Sequence, residues 1–251
     1  MASGELVHPS DRALIDVDLA DDAQSGRFTL GPGLVRHDGA LYGGTGLAVS
    51  VMAMQAASGR DVLWASTQFV SSPSLGAEID WEVETLALGK RATQLMVRAR
   101  CAGATAFVAI GSAGVGSDDG LTGQYVEAPA ADPPEGARPW DLAVAASQPD
   151  SWWLKLDLRE AALHDPRGRS ALWVRRRDRL PFTPAGVAFA ADFVPLGVAR
   201  SAGKLGAGSS LDNSLRFRPG TGTEWLLLEL EGEFASGGYG HGTVRAWSQD
   251  G

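Results

Sequence analysis

The chain opens a strand reading wherever apolar and polar residues alternate. Ile79, Trp81 and Val83 alternate with acids, and a second alternating run extends from Gln94 to Arg100. Period-two patterning of this kind predicts strands with one buried face. A different pattern follows Gly43 and Gly44. Leu47, Val51 and Met54 recur at three- and four-residue spacing among further apolar neighbours, which predicts a helix apolar on nearly all sides. Such a helix has to be wrapped, and a curved sheet does that. A third pattern, rich in Gly, Pro and Asp over residues 116–139, predicts a linker.

These patterns occur twice. "WEVETLALGKRATQLMVRARCAGA" from Trp81 resembles "WLLLELEGEFASGGYGHGTVRAWSQDG" from Trp225, and both reach Val-Arg-Ala, at Val97 and at Val244. Upstream, Phe69 in "STQFVSSP" stands opposite Phe217 in "NSLRFRP". "GGTGLAVSVMAMQAAS" stands opposite "AGVAFAADFVPLGVA", and "RFTLGPGLV" opposite "ALWVRRRDRL". Five matches in one order, at offsets of about 142–148 residues, predict a duplication. Each unit then reads as strand, Gly-rich turn, one apolar helix and several antiparallel strands. The expected division is a first unit over residues 1–115, a linker over 116–140 and a second unit over 141–251. In the first unit an apolar strand, "TAFVAIGSAGV", follows the turn after Cys101. The second unit stops at the matching turn, "SQDG", so a last strand is expected to be missing there and a sheet edge to be left unpaired.

Composition narrows the chemistry. Apolar content of 44% and charged content of 21% are ordinary for a globular protein. No apolar run reaches the ~20 residues of a membrane span. The acidic N-terminus is unlike a signal peptide, and a single cysteine, Cys101, suits a reducing cytoplasm. A net charge of −8 disfavours nucleic acid as a partner. The one basic cluster, "RRRDR" over residues 175–179, reads as a solvated strand face, with a patch for a phosphorylated ligand as the sharper alternative. His37 and His241 have no Glu or Cys at zinc-ligand spacing, so no metal is expected. No G-x-S-x-G elbow and no dinucleotide fingerprint occur, and no cofactor is implied.

The order of "YGG" (from Tyr42), "FVSSP", "VETLALGKR", "SLDNSLRF", "EWLLLELE" and "GTVRAWSQDG" resembles the type II acyl-CoA thioesterases. The resemblance implies an α+β double hot-dog fold, in which two curved antiparallel sheets each wrap a central helix. It also implies hydrolysis of acyl-CoA to free acid and coenzyme A, in an oligomer. The family's water-activating aspartate matches Asp212 in "SLD". That role explains an aspartate at the opening of a strand, where it is a poor strand former; the plain alternative is a turn or cap. Its hydroxyl partner falls on Glu233, and its glutamine partner belongs to a strand absent here. Asn213 stands where the family often has His.

The remaining candidates carry two readings each. Glu233 is either an outward strand residue beside Glu229 and Glu231, or the second member of a carboxylate pair with Asp212. Ser236 is an alternative source of the hydroxyl. Gly43 and Gly44 are either a plain loop-to-helix junction or an oxyanion site formed by free N–H groups at a helix start. Asp192, in the second apolar helix, reads as a hydrogen-bonded acid near a break before Pro195. The runner-up function is a non-catalytic acyl-thioester binding protein. A hydratase ranks third, because Asp212 has no adjacent His.

Overall fold

The computed structural model describes residues 7–117, 119–140, 149–162, 169–204, 208–218 and 222–251. The duplication is visible in it. The first unit contributes β1 (Asp18–Leu19), β2 (Ser25–Thr29), helix α2 (Gly43–Ser58), β3 (Asp61–Phe69), β4 (Glu78–Leu88), β5 (Ala92–Cys101) and β6 (Ala104–Gly114), preceded by a short helix α1 (Pro9–Leu14). The second contributes β7 (Leu156–Ala161), β8 (Ser170–Arg176), helices α3 (Pro184–Ala190) and α4 (Val194–Ser201), β9 (Asp212–Arg216), β10 (Trp225–Ser236) and β11 (Tyr239–Ser248). By matched sequence, β2, α2, β3, β4 and β5 correspond to β8, α3–α4, β9, β10 and β11.

Helix α2 is buried on every side: Leu47, Val51 and Met54 are fully enclosed. It ends where Gly59 adopts a left-handed conformation (φ 64°) and returns its N–H to the Gln55 carbonyl. Glycines let the sheet approach it. A Cβ on Gly46 would stand 2.8 Å from Phe69, and one on Gly111 would stand 2.7 Å from the Met54 sulfur. The second unit was expected to have one apolar helix, and among the described residues that helix is divided in two. Thr183 caps α3 by accepting the Gly186 N–H at 3.1 Å, and the helix stops at Ala191, ahead of Pro195, which sits in the first turn of α4.

The strands do not sort into one sheet per unit. The order is β1-β2-β4-β5-β6-β3-β9 in one sheet and β11-β10-β8-β7 in the other. Strand β9 belongs by sequence to the second unit but pairs antiparallel with β3 of the first, Thr67 opposite Asn213 and Gln68 opposite Asp212. In the first unit β6 lies between β5 and β3. Among the described residues no strand lies between their counterparts β11 and β9, so the second sheet is split there.

Two segments bind the units further. Around α1, the Ser10 hydroxyl donates to the Pro181 carbonyl at 3.0 Å and the Thr183 hydroxyl donates to Asp11. The linker straps the outer face of the four-stranded sheet: the indole of Trp173 donates to the Asp132 carbonyl at 2.8 Å, and Ala131 and Ala137 pack on Trp173, Trp225 and Leu227. The basic run at 175–179 is solvated only over its second part, Arg177 to Arg179. Arg175 and Arg176 are buried; Arg175 pairs with Asp157 and Glu224 over the Trp225 ring, and Arg176 pairs with Asp178 and Ser10.

Candidate active site at the seam between the units

The seam forms where the N-terminus of α2, the break between α3 and α4, and the start of β9 meet. Strand β9 alternates, so Asp212, Ser214 and Arg216 are exposed, while Asn213 and Leu215 turn toward the interior. Across the ladder, Gln68 stands opposite Asp212, and the Ser66 and Ser214 hydroxyls share a hydrogen bond of 2.6 Å. Directly opposed residues in an antiparallel pair bring their Cβ atoms within about 5 Å. Asp212 therefore has the Gln68 amide of the first unit as its cross-strand neighbour, with the Ser66–Ser214 hydroxyl pair next along the same face. Sequence alone puts Ser66-Thr67-Gln68 at the place in the first unit comparable to Asp212; that Gln68 faces Asp212 follows only from the register.

On the inner face the dominant group is Asp192. It is buried between α3 and α4 and accepts from three directions. Its Oδ1 takes the Ser210 hydroxyl at 2.8 Å and the Asn213 amide at 3.3 Å, and the backbone N–H of Gly44 donates to the same carboxylate. Burial pushes its pKa up to about 6, against the lowering effect of these hydrogen bonds and of Arg36 nearby. Arg36 reaches the rim of the site, paired with Asp38 at 2.6 Å and donating to Ser209.

Gly43 and Gly44 open α2 as the sequence predicts, but what comes close to them is the second unit. A Cβ on Gly43 would collide with the Asp192 Oδ2, and one on Gly44 would collide with the Phe189 carbonyl. The N–H of Gly44 is engaged by Asp192. Tyr42, the residue preceding the helix, is enclosed by Trp152 and Phe189, with ring centroids at 5.7 and 5.2 Å. Its hydroxyl and that of Thr67, which lies opposite Asn213, are buried with no hydrogen-bond partner. Burial raises the Tyr42 pKa well above the phenol range, reinforced by Asp192.

Glu233 and Ser236 lie elsewhere. Glu233 is exposed on the distal part of β10, accepts the Thr243 hydroxyl at 2.7 Å and lies 3.5 Å from His241. These partners belong to its own hairpin. Ser236 ends β10 at the turn of that hairpin. Glu229, grouped with Glu233 by spacing, is buried and ion-paired with Arg169 and Arg245. Among the described residues no three His, Cys, Asp or Glu side chains gather as metal ligands would.

Comparison with known proteins agrees with this architecture. The acyl-CoA thioesterase N-terminal domain family matches residues 35–114, and the acyl-CoA thioesterase C-terminal domain family matches residues 117–251. A solved structure from Novosphingobium aromaticivorans, provisionally titled a thioesterase, is 30% identical with a TM-score of 0.81, covering 93% of this chain and 92% of its own. The tesB protein of Mycobacterium avium subsp. paratuberculosis is 20% identical with a TM-score of 0.76, covering 96% of this chain and 93% of its own. The acyl-CoA thioesterase II TesB2 of Mycobacterium marinum is 22% identical with a TM-score of 0.73, at the same two coverages of 96% and 93%. No curated protein matches the chain. With both halves of the family present in order and the two units built as a double hot-dog, the chain belongs to the acyl-CoA thioesterase family.

Proposed function

We propose that this chain hydrolyses acyl-CoA thioesters to the free acid and coenzyme A, with Asp212 as the carboxylate that takes a proton from the attacking water. The observation that carries this reading is the position of Asp212. It begins β9 at the seam, accessible from outside, with Gln68 of the first unit directly across the ladder. Hydrolysis needs a base beside the water and polar groups to hold it. Asp212 supplies the first, and Gln68, Ser66 and Ser214 are placed to supply the second. Gln68 would thus serve as the water-holding glutamine. Gly43 and Gly44 lie with Asp192 on the inner face, away from the outward Asp212 carboxylate, and supply no oxyanion donor in this reading. Glu233 and Ser236, held within their hairpin, have no part in the step.

No helix among the described residues is long and apolar enough to cross a membrane. A cytoplasmic setting fits the single thiol of Cys101. Self-association fits the unpaired outer edges of β9 and β11, and sedimentation would report it.

The test is thiol release from a panel of short, long and aromatic acyl-CoAs by the parent and by Asp212→Asn. Loss of a general base should lower kcat on the order of a hundredfold or more. Gln68→Ala should lower it less, by about tenfold, with the KM little changed. A fully active Asp212→Asn would remove Asp212 from the mechanism. Binding of acyl-CoA without release by the parent would favour the non-catalytic reading.

A further inference from the structure

We infer that Asp192 is the positioning residue of this site: seated on the N-terminus of α2, it clamps Ser210 and Asn213 and so holds Asp212, which lies between them, in place. The inference rests on the hydrolase reading for what Asp212 does, and on independent geometry for what Asp192 does.

Asp192 is one of few charged groups enclosed in the described core, and an acid is enclosed only at a cost unless its oxygens are satisfied. Here they are satisfied by groups from both units. One oxygen takes Ser210 and Asn213 of the second unit, and the carboxylate also takes the Gly44 N–H at the start of the first unit's helix. A negative charge at a helix N-terminus is favoured by the aligned peptide dipoles and the unmatched N–H groups there. The glycine at position 43 admits it, since any side chain would occupy the place of Oδ2. Asp192 thus joins the break between α3 and α4, the start of α2 and the start of β9 at one carboxylate.

What it joins bears on the chemistry. Ser210 and Asn213 bracket Leu211 and Asp212. Fixing both at one oxygen fixes the backbone that carries the outward carboxylate, and with it the alignment of Asp212 against Gln68. Asn213 has its amide nitrogen committed to Asp192, which turns its carbonyl oxygen away from the carboxylate. Once protonated, Asp192 would lose its charge and one acceptor position, and the clamp would slacken. The groups facing it are Arg36 and Tyr42 from the segment before α2, the Gly44 N–H from α2, and Ser210 and Asn213 beside β9; of β3, Phe69 lies near Gly43 and Thr67 opposite Asn213, both uncharged. Thr67 and Tyr42 add two buried hydroxyls lacking partners, so polar capacity at this spot exceeds what the protein itself uses.

The experiment compares the parent with Asp192→Asn and Ser210→Ala in steady-state thiol release from pH 5 to 9, with thermal unfolding of each as a control for folding. The expected result is an acid limb in the parent kcat with its midpoint at about 6. In Asp192→Asn that limb disappears and kcat at pH 8 falls tenfold or more, while KM stays within threefold. Ser210→Ala, which removes one arm of the clamp, should lower kcat severalfold and keep the limb. An Asp192→Asn variant that folds and retains both the parent kcat and the acid limb would overturn the inference. If the parent releases no thiol from any acyl-CoA, the hydrolase reading fails and Asp192 is judged by the side-chain amide of Asn213 in nitrogen-15 NMR. Movement of that resonance with a midpoint at about 6, absent in Asp192→Asn, supports the clamp, and an unmoved resonance overturns it.

Discussion

Gly43 shows how tightly the site is built. On helix propensity alone, alanine would be favoured there by about 0.5–1 kcal/mol. Its methyl would strike the buried Asp192 carboxylate and lie 3.2 Å from the half-buried Phe69 ring. Gly43→Ala is therefore expected to cost roughly 1–3 kcal/mol in urea unfolding and to lower thiol release at least tenfold. Asp192 makes a second prediction. An acid whose folded pKa lies above its ordinary 3.8 stabilises the fold while protonated and loses that contribution as the pH rises through about 6. A rise of this size is on the order of 3 kcal/mol. Asp11, also raised by burial, adds in the same direction. Thermal unfolding of the parent and Asp192→Asn from pH 4 to 8 should show the variant gaining on the parent as pH rises. A constant difference would mean that Asp192 does not titrate in that window. The motif around Asp212 was legible because it is local. Asp192 was legible only as a polar interruption in an apolar helix, since its partners, Gly44 and Asn213, come from distant parts of the chain. That Gln68 faces Asp212 was hidden for the same reason.

At the level of elements, the glycines of the last hairpin find their explanation in α4. Sequence alone suggests a kinked strand, and the β10–β11 register does shift between Gly232 and Phe234. The turn uses Gly237 and Gly238 at positive φ. The other glycines have a packing role. A Cβ on Gly232 would stand 2.7 Å from the Val198 backbone, and one on Gly240 would stand 2.7 Å from the Val198 side chain. Gly232→Val should lift α4 off the hairpin and destabilise the protein by about 1–3 kcal/mol, seen as a lowered Tm. Most strands and the first helix could be read from periodicity. The break in the second helix was marked by Pro195 beyond Asp192, although the apolar pattern continues through it and a single helix was expected. Alternation finds strands, but it does not say which strands pair, and β9 pairs across the unit boundary.

For the whole molecule, that pairing leads us to expect the two units to fold together. Separated pieces spanning 1–115 and 141–251 should each fail to give a cooperative thermal transition, while the intact chain melts in one step; calorimetry would decide. A first piece that melts cooperatively alone would show that β3 does not need its partner. There is also a consequence for the protein as it is made. Strand β3 is complete once Phe69 has been synthesised, but β9 follows roughly 140 residues later. At ~5–20 residues per second, the nascent chain waits on the order of ten seconds with that edge uncovered. Until Asp212 to Arg216 arrive, the growing chain presents an open β-edge in a cell crowded with other unfinished chains. The ladder that assembles the site is thus also the point at which synthesis of this protein is most exposed to aggregation.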